Sequence, residues 1–458
     1  MSAEELEHFR LKSLDQGQFT GAFIAVHAVS DGFLMMHCGV GCKHKATSQL
    51  TEHDFGRSAE HEGWTEVGDA ELIEGAAHRI GPYIRSWYDR MQPGIIIVNS
   101  VTFLDLTGDD IRDSADMAGK SVPCPVHFVR VPGYEGDLFS GYAAVVLAVA
   151  RGLDWTQQTG RATDVSIAGY FFDRYEGDNL GNLTQLNSLL KSIGCTLKGT
   201  LFGGTDYATL QDTAQAGTVL AFPLMHPYMR PLKRWTKRTP TPTDLPMGIE
   251  GTAHWLRTVA SATGTNATRV EQVIDLQRQR TQQRLRTSRM VLSGLRVAIF
   301  CDLPQTVGLL HVLQDLGCTP VLIGIRGHTL GGESELLEAV SRTHASLNTD
   351  VPILENPSIH RVREHMEKLI QDKEVDVLIG SSTEINAVAT LDPEIALHID
   401  HGAAWTGCGP KIVEFGFPCR NYHVVRSSPT MGFGGVLGWA DRLINAPRLW
   451  DTWRTQPS

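Results

Sequence analysis

The sequence has no apolar run approaching the ~18–20 residues that a membrane-spanning helix needs. Its opening, MSAEELEHFRLKSLDQGQ, is charged rather than apolar, so neither a transmembrane helix nor a secretory leader is expected. Positive charge is also in short supply: 41 Lys and Arg stand against 51 Asp and Glu, a formal charge of −10. A nucleic-acid partner that is held through its phosphates would need the opposite balance. Cysteine is sparse and irregularly spaced, eight in 458 residues, which is no disulfide framework. The expected compartment is a reducing cytoplasm, where thiolates remain available to bind metal.

Several motifs are missing as well. No GxGxxG follows an apolar run, and there is no GxSxG nucleophile elbow. MAGKS (117–121) resembles the end of a phosphate loop, but the glycine required five residues before the Gly-Lys pair is Ser114. No NTP site is expected there. The glycine-rich MGFGGVLG (431–438) leads into an apolar helical pattern and is read as close packing.

What the chain does contain is a repeated alternation. Short Val/Ile-rich runs at 94–100, 126–131, 165–171, 218–223, 296–301, 320–325 and 375–382 read as strands buried on both faces. Helical patterns at 141–153, 183–194 and 305–317 lie between them. Strand, helix, strand in repetition predicts an α/β fold of doubly wound, Rossmann-like domains with parallel sheets. The polar stretch LDWTQQTGRATD (153–164) and the long charged helix at 269–290 divide the chain into three such domains, 1–160, 161–290 and 291–458.

The chemistry concentrates in FLMMHCGVGCKHK (33–45), where Cys38 and Cys42 stand beside His37, Lys43 and His44. A catalytic His37–Cys38 pair is not expected, because adjacent residues rarely face each other. Thiolates in a reducing compartment select zinc or iron–sulfur clusters, and Gly39 and Gly41 let the backbone pass close to a bulky group. Structural zinc needs four ligands, and no CxxC or HxxxH follows. Cys124, between two prolines in SVPCPVHF, is a further candidate ligand. The remaining cysteines (195, 301, 318, 408 and 419) read as small packed side chains. His226, His398 and His401 lie at strand ends, with packed or surface histidines the commoner outcome. The thiolates are too few to hold a cluster alone, so any cluster must be shared with another chain.

The ordered set GAFIAVHAVSDGFLMMHCGVGCKHK, VTFLDLTGDDI, VHFVRVPGYEGDLFSGY, LPMGIEGTAHWL and GFPCRNYHVVRSSPTMGFGG resembles the beta subunits of nitrogenase catalytic components and their relatives, over nearly the whole chain. The resemblance implies an α2β2 heterotetramer with an alpha-type catalytic subunit, each chain built of three α/β domains. It implies an iron–sulfur cluster shared with that subunit, [8Fe-7S] P-cluster-like or [4Fe-4S], with the substrate-reducing cofactor in the partner chain. It also implies a separate homodimeric, ATP-dependent iron–sulfur reductase that uses the ATP, and no nucleic-acid or membrane partner. Family beta chains with the full eight-iron cluster supply three cysteines, and the second corresponds to Cys42. Where the first and third stand, this chain has Gln18 and Thr102. Cys42 is therefore the metal ligand the resemblance carries over, with Cys38 and Cys124 as candidate ligands and Gly39 and Gly41 as cofactor-binding positions. The departures set this chain apart from a plain nitrogenase beta subunit. By elimination it is most similar to nitrogenase-like methylthio-alkane reductases, oxidoreductases that cleave carbon–sulfur bonds. A scaffold subunit for cofactor assembly, or another nitrogenase-like reductase, is the alternative.

Overall fold

The computed structural model describes residues 17–39, 41, 61–100, 104, 108–132, 135–156, 160–173, 177–326, 351–389, 409–420 and 426–448. Three parallel sheets organise them. The first holds β1 (Gly32–His37), β2 (Glu62–Trp64), β3 (Ile95–Ser100) and β4 (Val126–Arg130) in the order β2-β1-β3-β4. The second holds β5 (Asp164–Ala168), β6 (Thr196–Thr200), β7 (Thr218–Ala221) and β8 (Thr241–Pro242) in the order β6-β5-β7-β8. The third holds β9 (Arg296–Asp302), β10 (Thr319–Arg326), β11 (Ile353–Glu355), β12 (Val377–Gly380) and β13 (Lys411–Glu414) in the order β11-β10-β9-β12-β13. Every expected strand run forms a strand, and the predicted α/β class with parallel sheets holds.

The helices of the first segment are α1 (Gln18–His27), α2 (Asp69–Glu74), α3 (Ile80–Met91), α4 (Ile111–Gly119) and α5 (Leu138–Gly152). The second segment carries α6 (Asn179–Ser192), α7 (Tyr207–Gln211), α8 (Met229–Thr236), α9 (Ile249–Thr263), α10 (Ala267–Leu285) and α11 (Ser288–Leu292). The third carries α12 (Leu303–Leu316), α13 (Ile359–Gln371), α14 (Ser382–Ala389) and α15 (Gly432–Asn445). The long charged helix expected over 269–290 is two helices, α10 and α11. MAGKS lies at the C-terminal end of α4, with Lys120 as its cap. Phosphates are held by the free N–H groups of a helix N-terminus, so the polarity there is wrong for that use.

One apolar core is shared by all three sheets. It joins Leu34, Met36, Ile95 and Ile97 of the first, Val165, Ile167 and Leu220 of the second, and Val297, Ile299 and Ile379 of the third. Separate cores cover the outer faces of the first sheet, with Met35, Ile84, Ile96 and Val98, and of the third, with Ala298, Phe300 and Leu378. The last helix, α15, comes from the expected third domain yet packs against α6, α9 and α10. Asn182 of α6 fastens it: Oδ1 accepts the backbone N–H groups of Thr430 and Met431 at 2.7 and 2.9 Å, and Nδ2 donates to Asp178 at 2.8 Å. The glycines of MGFGGVLG serve this docking, since a Cβ on Gly435 or Gly438 would stand 2.4 Å from Thr430 or 2.1 Å from Pro429 backbone atoms. Packing, not ligand binding, accounts for them.

α1 and α5 lie on the inner face of the first sheet and touch backbone to backbone. A Cβ on Gly21 would fall 1.8 Å from the Leu138 carbonyl oxygen, and one on Gly141 would fall 1.9 Å from that of Gln18. Gly21→Ala is expected to force the two helices apart, at a cost of ~1–3 kcal/mol or more. A lowered urea midpoint with unchanged denaturant slope is the expected result, and an unchanged midpoint would remove this contact from the account. A second prediction concerns pH. Asp315 on α12 accepts the Ile249 N–H at the start of α9 at 2.6 Å, and burial lifts its pKa above the usual carboxylate range, to about 6. The folded state keeps this proton after the unfolded chain has lost it, so ionisation costs stability as pH rises through that window. Asp315→Asn is expected to raise the melting temperature at about pH 7.5, with the gain shrinking toward pH 4; a pH-independent difference would contradict the assignment.

Candidate functional site

Doubly wound sheets offer their chemistry at the carboxyl ends of their strands. In the first sheet these ends are His37 and Cys38 at β1, and Asn99 and Ser100 at β3. The strands pair Met36 with Asn99 and His37 with Ser100. Successive side chains of a strand face opposite sides, and the two cores follow that alternation. Leu34, Met36 and Cys38 join the shared core, whereas Phe33 and Met35 join the outer one. Cys38 and Asn99 therefore belong to the inner side of the sheet, and His37 and Ser100 to the outer side. The neighbouring thiol and imidazole lie on opposite sides of the sheet.

All four residues are 0% exposed. A segment following β2 ties down the end of β1. Thr65 Oγ1 accepts the Cys38 N–H at 3.1 Å and lies 3.0 Å from His37 Nδ1, while the Cys38 carbonyl accepts the Val67 N–H at 2.9 Å. Burial holds the His37 pKa down to about 4, against the opposing pull of Asp109, so the imidazole is neutral near pH 7. Buried polar groups are nearly always hydrogen-bonded. Here His37 Nε2, both amide atoms of Asn99 and Ser100 Oγ are buried with no partner among the described residues.

Buried polar atoms left unmet on both sides of the sheet end, Asn99 on the side of Cys38 and His37 and Ser100 on the other, are of the kind that sulfur acceptors of an iron–sulfur cluster would satisfy. Among the described residues, no three His, Cys, Asp or Glu side chains come together as a metal cage. The donor set therefore fits a cluster completed by ligands from elsewhere and not one enclosed by the described residues alone. Gly39 is buried and bridges to Val67, and Gly41 is exposed, with no atom of the described residues within 4 Å of where its Cβ would stand. Cys42, Lys43, His44 and Thr102 lie outside the described residues, as do His398, His401 and Cys408. Gln18, in the first turn of α1, donates from Nε2 to Ser140 Oγ at 3.2 Å, and its Oε1 is buried without a partner.

The structure does not bring Cys124 to this place. It precedes β4, whose Val126 pairs with Ile96, so it lies at the opposite end of the sheet from Cys38. The separation is about seven residue steps, roughly 23 Å at ~3.3 Å per residue. Cys124 packs in the outer core, where burial pushes its thiol up to about 11. Cys195, Cys301 and Cys318 are likewise buried in the shared core. Cys419 donates to the Gly416 carbonyl at 3.2 Å, and His226 Nε2 lies 3.1 Å from the Ala221 carbonyl oxygen.

Sequence reasoning passed over Thr65, Asn99 and Ser100. The available signal was the polar pair closing the run GIIIVNS, since a strand covered on both faces has little reason to end in buried polar side chains unless something meets them.

Comparison with known proteins shows the family and the fold. The family described as nitrogenase component 1 type oxidoreductase matches residues 17–447. A nitrogenase molybdenum-iron protein beta chain of Rippkaea orientalis is 23% identical, over 93% of this chain and 81% of its own length. The nitrogenase iron-molybdenum cofactor biosynthesis protein NifE of Clostridium pasteurianum is 21% identical, over 94% and 88%. Among solved structures, nitrogenase Cp1 at pH 6.5 superposes with a TM-score of 0.72 over 97% of this chain and 94% of that one, at 16% identity.

The position of Cys124 yields a direct test. Cys124→Ala is expected to leave iron per assembled complex unchanged and to lower only the unfolding midpoint, through a small loss of core packing. Loss of iron in this variant would show that the thiol reaches the metal.

Proposed function

We propose that this chain, which belongs to the nitrogenase component 1 type oxidoreductase family, is the beta-type subunit of a nitrogenase-like, two-component reductase. Its part is to complete and bury an electron-relay iron–sulfur cluster shared with an alpha-type partner in an α2β2 assembly, in a reducing cytoplasm. The observation that carries the reading is the family match over 17–447 together with a shortened thiolate set: Cys42 and Cys38 in the sequence that follows β1, but Gln18 and Thr102 where further cysteines are expected. When bound, the cluster would pass single electrons from an ATP-dependent iron–sulfur reductase toward a substrate-reducing cofactor in the partner chain.

This chain's own residues have simpler tasks. Cys42 and Cys38 supply thiolates, which lower a cluster's potential. The cores on both faces of the first sheet exclude water from the strand ends. Gly39 and Gly41 leave backbone N–H groups unobstructed. The finer reading, a methylthio-alkane reductase, rests on the reduced ligand set and on elimination of better-known relatives. Its reaction would add two electrons and two protons to a methyl thioether, breaking one carbon–sulfur bond to give a thiol and a hydrocarbon. The similarity to NifE favours a second reading, a non-catalytic scaffold on which an iron–sulfur cofactor is matured.

Cys42→Ala is expected to lose most of the iron of the co-purified complex while keeping its oligomeric state, as judged by iron quantitation and gel filtration. A variant with full iron and full electron transfer would remove Cys42 from the ligand set. Supplying the complex with its reductase, ATP and a methyl thioether is expected to release a thiol and a hydrocarbon. An iron-loaded complex that turns over no thioether but gives up its cofactor to another protein would favour the scaffold.

A further inference from the structure

The second and third sheets share a crevice at the carboxyl ends of their strands. β5 lies between β6 and β7, and β9 between β10 and β12, so the strand order reverses at β5 and at β9. Open α/β sheets bind ligands outside the carboxyl ends of their strands at such reversals. A chamber of about 60 Å³ lies there, lined by Tyr170 and Phe171 after β5, Asp302 at the end of β9 and Phe415 after β13. Phe139 of α5 also lines it, with its ring centre 5.5 Å from that of Phe171. At ~10–15 Å³ for each water, the chamber holds roughly four to six, about the bulk of one trimethylammonium group. A vestibule of about 340 Å³ adjoins it across Pro223, Leu245 and Pro304.

The charge along this crevice is one-sided. Asp178 and Asp302 line the chamber, and Asp244 and Glu250 the vestibule. Among the described lining residues the cation is Arg257, and Glu271 holds it at 2.7 and 2.8 Å. Asn182 bonds Asp178, and Arg278 pairs with Glu250 at 2.7 Å. Asp302 is less well served. Its ion-pair partner Arg326 stands 3.8 Å away, beyond hydrogen-bond reach, and is shared with Glu384 at 3.5 Å. One guanidinium thus serves two carboxylates, and burial pushes the Asp302 carboxyl up to about 6. Beside it, Gln305 also lines the chamber, and its Oε1 is buried with no partner among the described residues.

We propose that this chamber binds a small organic cation of the alkylated ammonium type, its charged head among the rings of Phe139, Phe171 and Phe415 and beside the Asp302 carboxylate. The site is separate from the strand ends of the first sheet and does not depend on the cluster proposed there. Aromatic walls attract a cation through the ring quadrupole, most strongly where water is excluded. Asp302 supplies the opposite charge that Arg326, divided between two carboxylates, leaves only partly balanced. Gln305 Oε1 can accept a hydroxyl or N–H carried by the ligand. An anion would meet carboxylates with no free cation lining the chamber, and a neutral apolar molecule would leave both acceptors unmet.

The test is calorimetric titration of the complex with its alpha-type partner, using choline and its uncharged carbon isostere, dimethylbutanol. Choline is expected to bind at one site per chain, and dimethylbutanol, alike in shape, about tenfold more weakly. Asp302→Asn keeps the side-chain volume and removes the charge; it is expected to weaken choline about tenfold and to leave dimethylbutanol unmoved. Phe171→Leu is expected to weaken choline severalfold, and it stands in should Asp302→Asn fail to assemble. No saturable choline binding, equal affinity for choline and dimethylbutanol, or choline binding unmoved in both variants would overturn the proposal. None of these outcomes touches the shared-cluster reading, which is measured by iron.

Discussion

A parallel sheet must be covered on both faces, and this leaves its strand ends as the place where polar chemistry can be built without breaking a core. The first sheet carries the constraint furthest. Its inner face is sealed by α1 and α5, which lie in backbone contact at Gly21 and Gly141. Its outer face is sealed by α3 and α4 around Ile84, Ala115 and Val98. The ends of β1 and β3 are left flanked on two sides, and there Cys38, Asn99, His37 and Ser100 stand fully buried. Their location follows from strand register, and the unmet hydrogen bonds of His37, Asn99 and Ser100 follow from their burial.

Half a site is a reasonable thing for such an edge to be. The described residues supply one buried thiol and several unpaired polar atoms there, and no group of three metal-binding side chains. A protein acting alone would gain little from keeping these atoms dry and unsatisfied. A subunit that receives a group shared across an interface would satisfy them on assembly, and family membership points to that arrangement.

Much of the fold was legible in the sequence because Val/Ile runs bounded by helical patterns have few other structural uses. GIIIVNS, RVAIFC and PVLIGI all became central or near-central strands. GFLMMH was passed over, although it forms β1, the strand that aims Cys38: methionine and glycine carry little strand signal, and a short apolar run is ambiguous by periodicity. The break between α10 and α11 and the return of α15 onto the second segment were not legible, since both depend on tertiary packing. At the site, the cysteine loop announced itself through residue type. Cys124 looked similar in sequence but lies at the far end of the sheet, because strand direction, invisible in composition, decides which end of a strand a neighbouring residue occupies. Thr65, Asn99 and Ser100 were hidden for the opposite reason: ordinary polar residues acquire meaning only when burial removes their water.

The central claim is that this chain contributes part of a cluster site and needs a partner for the remainder. The most direct measurement is iron per chain for the protein purified alone and for the protein purified with its alpha-type partner, both without oxygen. The account predicts a chain nearly free of iron by itself and an iron-loaded complex with an iron–sulfur absorption band. A complex without iron, or equal iron in the lone chain and the complex, would contradict it.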